Sequence, residues 1–366
     1  MSLDAVIERS KREKEAWKYT SLTPFAGQKF VPAIVPKKKF SAPLPSIVKD
    51  AKERHQIVFV NGVFQPELSK LGELEGILQG DAQAGYRLIL AGQTCLVTAP
   101  VELVFVSDAG DEAAEINLKL DVELGQSGRL TLIEHHVASK KSAVSIYETN
   151  IHLGLQAKLV HGKVIDSGAV SLLARTNVEA GEGGYYDNFV LIKSGKLVRN
   201  EIEVKLGQMA QCALNGAMLL GGNTHADTTT HIIHRAPFGI SREAYKSVVT
   251  DKARGVFQGK ITVEEGAQKT DAQQSCKTLL LSDQAEMDAK PELRIYADDV
   301  KCSHGAAIGA LDENMLFYLR ARGLEEKDAR ALLVRGFINE MVDEIQMLEW
   351  RDYLRAKTEA WCDEQN

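Results

Sequence analysis

The sequence predicts a mainly β protein: a long all-β body between a mixed α/β N-terminal segment and a helical C-terminal segment. Among the long β architectures it leans towards a β-helix. Three observations carry this. From about residue 90 to 310, short β-type runs such as "RLTLIEHHV", "AVSIYETNIHLG" and "RNEIEVKLG" follow one another with turn residues between them. Within the runs side chains alternate. In "GVFQGKITVEE", Phe257, Gly259, Ile261 and Val263 fall on one side, and Gln258, Lys260, Thr262 and Glu264 on the other. Segments of different texture flank the body at both ends, as a solenoid needs if its end strands are to be covered. The boundaries fall at 1–85, 86–311 and 312–366. Alternation alone also admits a sandwich, barrel or propeller, and no strict hexapeptide or nonapeptide motif recurs.

The elements follow in order. The first twenty residues read as a charged helix with Leu3, Val6 and Ile7 on one side. The proline-rich "TPFAGQKFVPAIVPKKKFSAPLP" suits an extended or irregular passage. In "IVFVNGVFQPELS", Asn61-Gly62 between β-branched and aromatic residues predicts a hairpin. "EAGEGGYYDN" and "GGN" at 221–223 read as turns of the β body. After Asp312, a suitable N-cap, the spacing becomes helical, with Gly323 as a stop. Leu332, Leu333, Phe337, Ile338, Met341 and Val342 form a double apolar stripe, wider than one core-facing seam needs. "MLEWRDYLRAKTEAWCDEQN" reads as a last helix or a frayed tail.

Composition narrows the function classes. The chain has 366 residues, 44 basic and 50 acidic, for a net charge of −6. No general attraction to nucleic acid or anionic membrane follows. No apolar stretch is long enough to span a bilayer, and the N-terminus lacks the h-region of a signal peptide, so a cytoplasmic chain is expected. Cys95, Cys212, Cys276, Cys302 and Cys362 are far apart, odd in number and without a CxxC, which argues against a disulfide framework or a locally built zinc site. No P-loop, dinucleotide fingerprint, GxSxG or HExxH occurs.

Cys302 and His304 share a face if their stretch is extended. A thiolate and an imidazole together suit zinc or iron, whereas a cysteine is equally at home as a small buried hydrophobe. The pair cannot complete a four-ligand site. His231 and His234 lie on opposite faces of a strand and cannot chelate together, as is also true of His135 and His136. The histidines of "NTHADTTTHIIHRAP" are expected to be solvated residues of an outer face.

The stretch 251–323 closely resembles the C-terminal half of the SufB/SufD family of SUF iron–sulfur cluster assembly scaffolds. The markers are RxVFxGxIxV at 254–263, QKTDAxQ at 268–274, KPxLxIYADDVKCSHGA at 290–306 and LFYLRxRG at 316–323. "AWKYTSL" at 16–22 and "VFVNGVFQPELS" at 58–69 are similar to further family signatures, and the KCSHGA form resembles the SufD branch. The resemblance implies a right-handed parallel β-helix with an N-terminal and a C-terminal cap. It implies a complex of one SufB, two SufC ATPases and one SufD, with the helices after the β-helix (residues 312–350, with the stripe named above) contacting SufC. His304 falls at the family position proposed at the SufB–SufD metal site, with Cys302 beside it. The chain is then a non-enzymatic scaffold that supports iron acquisition and holds iron or a cluster only transiently, within the complex. It pairs with SufB, or with a second copy of itself, through strands near 290–306. Cys276, where relatives often carry Asn, is read as a packing residue. Two rival readings are a carbohydrate-active enzyme on a β-helix, which needs clustered carboxylates and aromatic platforms, and a pure interaction module with vestigial metal residues. Aromatic residues make up 6% of the chain, few for the first of these.

Overall fold

The computed structural model describes residues 2–34, 43–50, 53–72, 76–90, 99–108, 113–138 and 143–365. Cys95 and part of the proline-rich passage lie outside the described residues. The chain opens with α1 (Leu3–Arg12), then β1 (Val31–Pro32), β2 (His55–Val60), β3 (Val63–Phe64), β4 (Leu78–Asp81) and β5 (Gly85–Leu90). The body comprises β6 (Val101–Ser107), β7 (Ala114–Leu124), β8 (Arg129–Ala138), β9 (Ala143–Leu153), β10 (Lys158–Asp166), β11 (Ser171–Ala180), β12 (Tyr185–Ser194) and β13 (Leu197–Leu206). It continues with β14 (Gln211–Leu220), β15 (His225–His234), β16 (Ile240–Val249), β17 (Arg254–Val263), β18 (Asp271–Leu280), β19 (Glu286–Ile295) and β20 (Lys301–Gly309). The helices α2 (Glu313–Ala321), α3 (Glu326–Val342) and α4 (Leu348–Glu364) end the chain.

From β7 onward, odd-numbered strands form one sheet and even-numbered strands a second, each pairing in parallel with the strand two places on. This is a parallel β-solenoid in which every coil gives one strand to each sheet. Lys158 pairs with Arg129 on one side and Tyr185 on the other, so the chain returns to the same place roughly every 30 residues. The predicted alternation holds: Phe257, Gly259, Ile261 and Val263 are all buried on the inner face of β17. Corners repeat as well. Ser127, Gln156, Gly183, Met209, Phe238 and Lys269 all take left-handed φ between 54° and 63°. This conformation costs a non-glycine residue about 1–2 kcal/mol. In return the corner amide reaches the neighbouring coil, as in Met209 N–H to Pro237 O at 3.0 Å and Phe238 N–H to Gln268 O at 2.9 Å.

The N-terminal end of the solenoid closes with antiparallel hairpins, whose edge strands β3 and β4 have 2 and 4 residues. The Asn61-Gly62 turn is where it was predicted, pairing Val60 with Val63 at φ 52° and 78°. Helix α1 ends at Arg12, short of the expected twenty residues, and packs Leu3 and Val6 against Val144, Ile146 and Leu173 of the first sheet.

The C-terminal helices begin where expected, with the Asp312 carboxylate accepting from the Asn314 and Met315 amides and Gly323 ending α2 at φ 97°. They lie along the side of the solenoid rather than across its end. Ile133, Val164, Phe189, Leu191, Ala217, Leu219 and Val248 make the outer face of the second sheet apolar from β8 to β16, and that surface has to be covered. Val334, Ile338, Val342, Trp350, Leu354 and Trp361 cover it. Gly162 permits the closest approach, since a Cβ there would sit 2.7 Å from the Trp350 ring. Of the two readings of the last segment, last helix or frayed tail, the helix holds: it is α4, which supplies both of these tryptophans.

Candidate functional site

Because the helices turn aside, the last coil is left open. Strand β20 pairs with β18 and with no other described strand, and most of its residues are exposed. Cys302 and His304 lie on this strand, in register with Ala272 and Gln274 of β18. Ala272 and Gln274 are buried on the inner face, so Cys302 and His304 share that face, as their spacing predicted. His304 is exposed because no coil follows it. Cys302 is half-buried against the core, and burial pushes its thiol above the ordinary range. Among the described residues no group of three or more His, Cys, Asp or Glu side chains could hold a metal ion. The pair fits iron or a cluster as a partial donor set, one borderline nitrogen and one soft sulfur, and does not complete a site.

Behind His304, an inner column runs back along the second sheet through Gln274 and Glu243. Gln274 Nε2 donates to Glu243 Oε2 at 2.5 Å. Burial pushes the Glu243 carboxyl up to about 7, against the opposing pull of its Gln274 and Thr230 neighbours. Gly259 on the facing sheet makes room for this column, since a Cβ there would fall 2.2 Å from Gln274 Nε2; Gly216 does the same for the neighbouring column, where a Cβ would fall 2.4 Å from the Tyr245 ring. Cys276, in the adjacent inner position, is buried, and its thiol is pushed up to about 12; it behaves as the packing residue expected.

The other histidines part company with the sequence reading. His231 and His234 do point to opposite faces, but His234 is not solvated. It is fully buried at a corner, bonded through Nε2 to Ser241 Oγ at 2.9 Å, with its ring in the space left by Gly239. Its last-in-strand position falls on the inner face, which is why it is covered, and burial lowers it to about 4. His225 and His231 are half-buried. His135 and His136 diverge as expected. His135 bonds Glu102 at 2.8 Å beneath α4, while His136 faces the interior.

There His136 joins a cluster that sequence reasoning missed. Glu134 accepts from His136 at 2.8 Å and His161 at 3.0 Å, lies 3.4 Å from Lys163 Nζ, and all four are buried. Burial pushes the Glu134 carboxyl up, but the charges of Lys163 and His161 outweigh it and hold the group well below the usual range. His161 Nδ1 bonds the Tyr186 hydroxyl at 2.9 Å, and Lys163 donates to Thr176. The i, i+2 spacing of Glu134 and His136 in "IEHHV" was the available signal. The cluster lies five to six strands from β20, roughly 24–29 Å at usual strand spacing, and serves the interior rather than the open end.

On the helices, Ile338, Met341 and Val342 are buried against the second sheet, and Leu333 and Phe337 are partly buried in the same cluster. Leu332 is 48% exposed. On α2 and α3 the large apolar residues that remain exposed are Met315, Phe317 and Tyr318 of α2 and Leu332 of α3. None of the described helices is long and apolar enough to cross a membrane.

Comparison with known proteins gives a consistent result. The family model "SUF system FeS cluster assembly, SufBD core domain" matches residues 105–337. The chain is 29% identical to the iron–sulfur cluster assembly protein SufD of Escherichia coli, over 92% of this chain and 85% of that one. It is 29% identical to a SufBD family protein of Synechocystis, over 94% and 85% respectively. It is 31% identical to protein ABCI7, chloroplastic, of Arabidopsis thaliana, over 78% of this chain and 62% of that one.

Proposed function

The chain belongs to the SufBD core family of the SUF iron–sulfur cluster assembly system, and from that premise we propose that it is a non-enzymatic scaffold subunit whose open coil end receives a SufB-like solenoid. His304, with Cys302 beside it, then supplies part of a site for iron or a nascent cluster, held as cargo, and the partner supplies the rest. What carries this reading is an incomplete donor pair on an uncovered strand edge. A single chain has no use for two ligands, whereas an interface between two chains can complete them. The two end strands differ in the same sense. β19 carries Pro291 among Lys290, Glu292 and Arg294, features that blunt an edge. After His304, β20 continues as Gly305, Ala306, Ala307, Ile308 and Gly309, small and uncharged, so another strand can add to it. When the partner is absent, the same edge serves a second copy of the chain.

The uncovered apolar residues of α2 and α3 are the docking surface for a SufC-like ATPase, narrower than the full stripe of the sequence. Iron–nitrogen bonding at His304 uses an imidazole lone pair, and ligation by Cys302 requires loss of its thiol proton, which its burial opposes. His304 is therefore the principal ligand and Cys302 the subordinate one. The test is iron per complex after anaerobic purification. His304→Ala is expected to leave folding and ATPase binding intact and to lower the iron content, with Cys302→Ser lowering it less. Equal iron in wild type and His304→Ala refutes the reading.

A further inference from the structure

Gln274 is held at one end of its amide and unused at the other. Its Nε2 is committed to Glu243 Oε2 and pressed into the space above Gly259 on the facing sheet. Its Oε1 is buried and has no partner among the described residues. An unpaired buried acceptor costs about 1–3 kcal/mol, and native interiors rarely leave one so. The next side chain along the same inner column is His304, in register on the adjacent strand, roughly 4.8 Å away by strand spacing. It makes no hydrogen bond among the described residues. An imidazole that gives one nitrogen to a metal donates its other ring N–H to a carbonyl, carboxylate or water, which fixes tautomer and ring direction.

We propose that Gln274, anchored by Glu243, is the positioning residue for His304: its Oε1 accepts the ring N–H and leaves the other nitrogen's lone pair directed out of the coil end. Once ionised, at the alkaline pH of the first measurement below, Glu243 stops the amide from turning over, because an inverted amide would set two acceptors against each other. Gly259 is the space that allows the anchored conformation. The proposal rests on the reading of His304 as a ligand for its purpose; the structure sets the two side chains in register without a bond between them, and a turn of the exposed His304 ring towards the column makes it.

The first measurement needs no metal. Ring ¹⁵N shifts of the full chain labelled at histidine, recorded at alkaline pH, give the tautomer ratio of His304. The expected ratio is displaced from that of a histidine in a short unstructured peptide, and returns to the peptide value in Gln274→Met. A wild-type ratio equal to the peptide's overturns the proposal without recourse to any variant. So does a displaced ratio that Gln274→Met leaves in place. The second measurement uses cobalt(II) as probe on the assembled complex, where Gln274→Met is expected to weaken binding about 10–100-fold. Unchanged affinity in that variant overturns the proposal. If His304→Ala itself leaves cobalt affinity unchanged, the ligand reading of His304 is what fails, and the tautomer ratio still decides the role of Gln274.

Discussion

Replacing Glu243 by Gln should stabilise the protein, by an amount that grows as pH rises from about 4.5 to 7 and is constant above. The carboxyl is fully buried, takes part in no ion pair among the described residues, and is raised from 4.5 to about 7. Between those values the folded chain keeps a proton on Glu243 that the unfolded chain has released. The native state therefore binds more protons, and stability falls as pH rises through that window, levelling off above about 7. At 1.36 kcal/mol per unit the full loss is about 3 kcal/mol. The neutral amide of the Glu243→Gln variant has no such loss and still offers an oxygen to Gln274 Nε2. The buried groups nearest in charge, Tyr245, Cys212 and Cys276, are all pushed upward by burial and do not titrate in this range. Urea unfolding of both proteins at pH 5, 6, 7 and 8 is the assay. Near pH 5 the variant should be ahead by about 1 kcal/mol or less, and by pH 8 by about 3 kcal/mol, with an unchanged m-value. A gap independent of pH, or a wild type more stable at pH 8, refutes the argument.

Two other substitutions test separate parts of the molecule. Lys163→Met takes away a cation that holds the buried Glu134 carboxylate, and is expected to cost about 3–5 kcal/mol in urea unfolding, because the remaining charge stays buried with its compensation reduced; a cost below about 1 kcal/mol would show that the histidines alone suffice. Phe317→Asp with Leu332→Asp, both on exposed helix positions, should abolish co-purification with the SufC-like ATPase while leaving thermal unfolding unchanged. Retention of the ATPase by the doubly substituted chain would place that contact elsewhere.

Local chemistry was legible in the sequence, and relations between coils were not. Asn61-Gly62, Asp312 and Gly323 each announce a backbone geometry within a few residues, and each is found in its place. Cys302 and His304 could be put on one face because strand alternation is a two-residue rule. The roughly 30-residue period stayed hidden because its marks are short and fade: Gly125, Gly154, Gly181 and Gly207 open successive corners, Arg235 and Glu264 take that place in the next coils, and the left-handed residue that follows varies from Ser127 to Lys269. The inner face was equally hard to recognise where it carries Glu134, His161, Lys163 and Glu243, polar residues that hydrophobic periodicity assigns outside. His234 was misplaced for that reason. Gln274 could not be tied to His304 or Glu243 from the sequence, because those neighbours are one whole coil away in either direction and meet only through register.

The unequal ends of the solenoid fix how many neighbours of its own kind it can accept. One end stops in strands of 2 and 4 residues, while the other offers β20 at 9 residues. A stack of coils extensible at both ends is polyvalent and would polymerise head to tail. Among the described residues this one offers a single long unblunted edge, so an assembly formed as proposed, through β20 alone, uses that edge up and stops at two members.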